Sequence, residues 1–105
     1  MILTTIGSIP GREISSVVGL VRGSTVRARH VGKDILAAFK NVVGGEIDDY
    51  TKLMAEAREQ ALDRMTDEAR ARGADAIIGL RFATSSISSG AAEIVVYGTA
   101  VTIKK

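Results

Sequence analysis

Cysteine is absent from this chain, and with it go disulfides, thiolate nucleophiles and thiolate metal sites. Histidine occurs once, as His30. A serine relay therefore has a single base to draw on, and a closed tetrahedral metal site cannot be built unless carboxylates complete it. Tryptophan is missing, and the aromatic residues are two Phe and two Tyr, scattered along the chain. A nucleic-acid surface normally clusters Lys and Arg beside stacking rings. Here acids and bases are interspersed, and the formal charge is only +2 although the pI is 9.2. No nucleic-acid partner is expected. No apolar run approaches the roughly 18 residues that span a bilayer. The stretch Met1–Thr5 has no basic region leading an apolar one, so no signal peptide is expected either. With these absences, residence in the cytoplasm and no membrane partner are the expectation.

What is present is ordinary for a folded domain. Apolar residues make up 46% and charged residues 25% of 105, which excludes disorder and supports one core. We read residues 1–105 as a single domain with no linker or internal repeat. A short strand is expected from Ile2 to Thr5, then a turn at Ile9, Pro10 and Gly11, where Pro followed by Gly suits a type II turn. Glu13–Arg27 reads as a long strand. Gly19 and Gly23 interrupt it, which marks a bulge or a close backbone approach. From Ala28 to Val43, the residues Val31, Ile35, Leu36, Phe39 and Val42 recur at helical spacing, and Gly44 and Gly45 end the segment. Ile47–Arg72 carries one apolar stripe of Ile47, Tyr50, Met54, Ala57, Ala61, Met65 and Ala69. Acids open it, Arg70 and Arg72 close it, Glu68 and Arg72 stand four apart, and Gly73 is placed as its C′ residue. Ala74–Ser85 and Ala91–Lys104 read as a strand hairpin around the polar turn Thr84–Gly90. The fold class is α+β, two layers: an antiparallel sheet of about three main strands, one long helix and one shorter helix.

The strands lack the alternation of a sheet with one wet face. In the last strand Ile94, Val96 and Ala100 oppose Val95, Val101 and Ile103, with Tyr97 among them. In the first long strand Ile14, Val18 and Leu20 oppose Val17 and Val21, and Ile77 opposes Ile78. Both faces therefore read as buried, and one long helix covers only one. The missing cover is expected to be another copy of the chain, because an uncovered second face would exceed the apolar patch of an ordinary monomer.

Several blocks point further. Pro10-Gly11 precedes the long strand, Gly44, Gly45 and Glu46 precede the long helix, and Ala57-Arg58 lies within it. Gly73–Ala76 leads into Ile77–Phe82, and Tyr97–Val101 lies in the last strand. In order and spacing, over nearly the whole chain, this set resembles the YbjQ-like family, which carries a heavy-metal-binding label. The resemblance implies a dodecin-like two-layer subunit and assembly of five subunits in a ring, a homopentamer.

The candidate site residues follow from these readings. For a divalent metal ion, the weak candidates are Glu46, Asp48 and Asp49 as hard oxygen ligands, and His30 gathered with its symmetry mates. Against them stand a charged helix start and the repulsion of Arg27 and Arg29 beside His30. Met54 and Met65 on the helix stripe read as core filler. A small ligand between subunits would draw on Glu46, Tyr50, Arg58, Arg81 and Tyr97. Arg81 stands between Leu80 and Phe82 on the opposite face, and an arginine in an apolar strand must pair or face a wet crevice. A structural salt bridge to Glu93, or to a neighbour's Glu46, is the plainer reading of it. No nucleophile elbow, Walker loop or dinucleotide motif occurs. The chain is thus expected to be non-catalytic, binding a metal ion or small ligand where subunits meet. The alternative is a structural or adaptor assembly with no ligand, and a weaker third class is an enzyme using interfacial Arg and Glu residues.

Overall fold

The computed structural model describes residues 1–28, 45–88 and 91–105, and the backbone alone for 28, 45–50, 87 and 88. Four strands and one helix are described: β1 (Ile2–Leu3), β2 (Ile14–Ala28), α1 (Gly45–Ala71), β3 (Ala76–Ser88) and β4 (Ala91–Ile103). The shorter helix expected within Ala28–Val43 falls outside the described residues, apart from Ala28, which ends β2. The sheet order is β1-β3-β4-β2. β3 and β4 form the expected hairpin, with arms that run further into the polar turn than the sequence suggested. β2 pairs antiparallel with β4, and β1 pairs parallel with β3, so the sheet is four-stranded and mixed.

Local chemistry accounts for the ends of these elements. Gly11 has φ 79° and the Arg12 amide donates to the Ile9 carbonyl at 3.0 Å, the turn that Pro10-Gly11 favours. At the end of α1, Gly73 has φ 80°. Its amide donates to Arg70 and the Ala74 amide to Ala69, both at 3.0 Å, which is a Schellman cap.

α1 packs mainly on β2 and β4 and hardly reaches β3. Ala57, Ala61, Met65 and Ala69 are buried at four-residue spacing against Val21, Ile77, Leu80, Ile94, Val96 and Ala100. Small residues let the backbones approach. A Cβ on Gly23 would lie 2.1 Å from the Ala61 carbonyl oxygen. Buried Thr25 donates its hydroxyl to the Ala57 carbonyl at 3.0 Å. Arg72 donates to the carbonyls of Leu20 and Val18 at 2.8 and 3.0 Å, Arg64 donates to that of Ser24, and Arg27 to Gln60. The helix is thus tied down along β2 by its arginines as well as by its apolar stripe.

The far face of the sheet holds a second cluster. Ala76, Val101 and Ile103 are buried there against Ile9, Ile14 and Ile78. The chain's own N-terminal segment therefore covers one end of the face for which a second copy was expected. It is anchored by Thr4 to Ile77, Gly79 to Ile6 and Leu80 to Thr4 backbone bonds. The expected facing of β2 is also corrected. Register shifts lie between Ile14 and Ser16 and between Val17 and Gly19, and Gly19 has φ 138°. The two extra residues put Val18 with Val21 on the helix side, and Val17 with Ile14 and Leu20 on the far side, so Val17 and Val18 exchange the faces expected of them.

Candidate functional site

Beyond the N-terminal cover, the far face is open among the described residues. Val17 is 68% exposed, Leu20 60%, Val26 54% and Tyr97 41%. Phe82, 43% exposed, lies on the helix side, where α1 does not extend over β3. The open face is therefore apolar around its rim, at Val17, Leu20 and Val26. Its centre is set by register: Tyr97 on β4 is opposite Arg22 on β2 and Arg81 on β3. Directly opposed residues share a face, so the three form one row across three strands. A second bulge, with Gly79 at φ 62° between Ile78 and Arg81, turns Leu80 into the core and leaves Arg81 on the far side.

The candidates separate accordingly. Arg81 and Tyr97 are brought together. Arg58 is exposed on α1, with the sheet between it and that pair. Glu46, Asp48, Asp49 and Tyr50 fall in the first turns of α1, where only backbone is described, and His30 lies outside the described residues. The salt bridge expected between Arg81 and Glu93 is not the arrangement found. Glu93 is opposite Ser85 and Val26, four residues along β4 from Tyr97, or about 13 Å. Arg81 instead donates through Nη1 to the carbonyls of Thr5 and Leu80, each at 2.8 Å. Arg22 was missed by the sequence reading. Its signal is the register of β2 on β4, a pairing between strands far apart in the chain.

One other concavity lies between α1 and β2, lined by Arg27, Ala55, Glu56, Glu59, Gln60 and Asp63. Its acids surround an arginine already bonded to Gln60 at 2.7 Å. Among the described residues, no three His, Cys, Asp or Glu side chains come together as a metal site would need. The described donor set therefore does not fit a heavy metal, which favours thiolate and imidazole.

The fold and this face define a class: a small two-layer α+β domain whose mixed sheet is covered by a helix on one side and partly open on the other. The chain belongs to the YbjQ family, whose model, described as "Putative heavy-metal-binding", matches residues 1–104. It is 53% identical over 104 residues to a UPF0145 protein of Archaeoglobus fulgidus, covering 99% of this chain and 96% of that one. It is 55% identical over 105 residues to a UPF0145 protein of Thermosipho africanus, covering 100% and 97%. A crystal structure of a DUF74-family protein of unknown function from Pediococcus pentosaceus superposes with a TM-score of 0.67 at 20% identity, covering 99% and 98%, a likeness of fold. No described helix is long and apolar enough to cross a membrane.

Proposed function

We propose that this chain is the subunit of a cytoplasmic homo-oligomer, a ring of five, that binds a small ligand where subunits meet and performs no catalysis of its own. The observation that carries the reading is the open far face of the sheet, where Val17, Leu20 and Val26 stand more than half exposed around Tyr97. Apolar surface of this kind costs about 25 cal/mol per Å² in water, and a second copy is the partner always at hand. The resemblance supplies the number five. Arg81 and Tyr97 supply polar groups within the same face. A divalent ion is the second ligand class to test, with Glu46, Asp48, Asp49 and His30 as its candidates.

Native mass spectrometry of the purified protein tests the reading. A five-subunit ion with excess mass is the expected result, and the excess names the ligand class. A bare ring would move the function to an adaptor or structural assembly. A monomer would overturn the reading.

A further inference from the structure

The row on the open face carries two positive charges with no counter-charge beside them among the described residues. Arg22, Tyr97 and Arg81 lie on three adjacent strands, and two strand spacings set the arginines' strands about 10 Å apart. Their neighbours on this face are Leu20 and Ser24 on β2, Val95 and Thr99 on β4, and Ala83 on β3, none of them acidic. Both arginines are exposed, and neither joins an ion pair among the described residues. Two cations on one face leave it electropositive, so this row is an arrangement that a bound anion stabilises.

Arg81 is also held in place. Its Nη1 donates to two carbonyl oxygens, of Thr5 and Leu80, at 2.8 Å each. No hydrogen bond among the described residues takes its Nε or Nη2. The guanidinium is thereby fixed with its Nε–Nη2 edge available, an edge that takes a carboxylate through two parallel bonds.

We propose that Arg81, Tyr97 and Arg22 form an oxyanion site for a carboxylate carried on an apolar or aromatic body. Arg81 takes the carboxylate through its free edge, Arg22 adds the second positive charge, and the Tyr97 hydroxyl is the neutral donor between them. Leu20 and Val95 offer apolar surface to the remainder. The carboxylate comes either from a free ligand or from an Asp or Glu side chain of a second copy seated on this face. This deepens the interface-ligand reading above and rests on its placing the ligand on the far face.

Benzoate is the probe. It is titrated calorimetrically into the wild-type protein and into Arg22→Gln, Arg81→Gln and, as a control on the outer helix, Arg70→Gln, and each is also sized by native mass spectrometry. If a free ligand fills the site, benzoate binds the wild type. Arg22→Gln and Arg81→Gln then each weaken it about tenfold or more, the loss of a charged hydrogen bond, while Arg70→Gln and all subunit counts stay unchanged. If a neighbour's carboxylate fills it, benzoate does not bind, and Arg22→Gln and Arg81→Gln lower the subunit count while Arg70→Gln does not. Equal benzoate affinity in all four proteins, or no binding with unchanged subunit counts, overturns the proposal. A monomer that binds benzoate through both arginines keeps the oxyanion site and overturns the assembly reading instead.

Discussion

Gly23→Ala adds one methyl group where β2 and α1 come closest. A Cβ there lies 2.1 Å from the Ala61 carbonyl oxygen and 2.6 Å from the Met65 amide nitrogen. Both are helix backbone atoms, so no side-chain rotation relieves the clash. Reaching even 3.0 Å from the oxygen requires the helix to retreat by about 0.9 Å. The same retreat stretches the buried Thr25–Ala57 hydrogen bond from 3.0 Å to beyond hydrogen-bonding range. Overpacking costs about 1–3 kcal/mol, and a buried hydroxyl left without its partner costs about 1–3 kcal/mol. The two share one displacement and are not fully additive, so the expected loss is about 2–4 kcal/mol. That is a large fraction of the roughly 5–15 kcal/mol that holds a domain folded. Urea unfolding followed by far-ultraviolet circular dichroism measures it, at one fixed protein concentration because association adds stability. With a urea slope near 1.3 kcal/mol/M, the midpoint should fall by about 2 M. Gly11→Ala is the control. Nothing lies within 4 Å of its added Cβ, and only its φ of 79° opposes it, a cost of about 1–2 kcal/mol. If Gly23→Ala proves no more destabilising than Gly11→Ala, the close packing of α1 on β2 is wrong.

Two further substitutions separate folding from assembly. Val101→Asp places a charge in a fully buried position beside Ile9 and Ile14 and should unfold the subunit, seen as lost circular dichroism. Leu20→Asp, on the open face, should leave the dichroism intact and lower the subunit count; a full-sized assembly from this variant would remove the open face as an interface. Arg72→Met removes two charge-assisted bonds to the Val18 and Leu20 carbonyls. It should cost about 1 kcal/mol in denaturant unfolding, since the side chain is part-exposed, and should quicken aggregation measured by light scattering as the β2 edge is uncovered.

What the sequence made legible was what short-range chemistry fixes. The stripe from Met54 to Ala69, the glycine after Arg72 and the Pro10-Gly11 turn each carry their own signal within a few residues, and each is found in place. The hairpin was legible for the same reason. Pairings between distant segments were not. β1 beside β3 and β2 beside β4 join residues more than 60 apart in sequence, with no local mark of register. The two register shifts before Gly19 then exchanged the expected faces of Val17 and Val18, since each extra residue swaps the faces until the next one restores them. Ile9 looked like loop and proved to be cover for Val101 and Ile103. The site suffered most from this, because Arg22 joins Tyr97 only through that register.

The edge of β2 bears on where a partner can sit. The carbonyls of Val18, Leu20 and Ser24 accept from Arg72 and Arg64, so they point away from β4, along the edge where another strand would add. An unprotected edge of this length invites pairing with a second chain. Here three of its acceptors are already engaged by arginines that also hold the helix down, and a strand arriving there would have to displace both. Gly19, whose Cβ position lies 2.8 Å from Arg72 Nη2, leaves room for that contact. The same bulge that admits Arg72 also turns Val17 and Leu20 onto the far face. One local irregularity thus closes the edge of the sheet and enlarges its apolar face, which is why the proposed interface lies on the face and not at the edge.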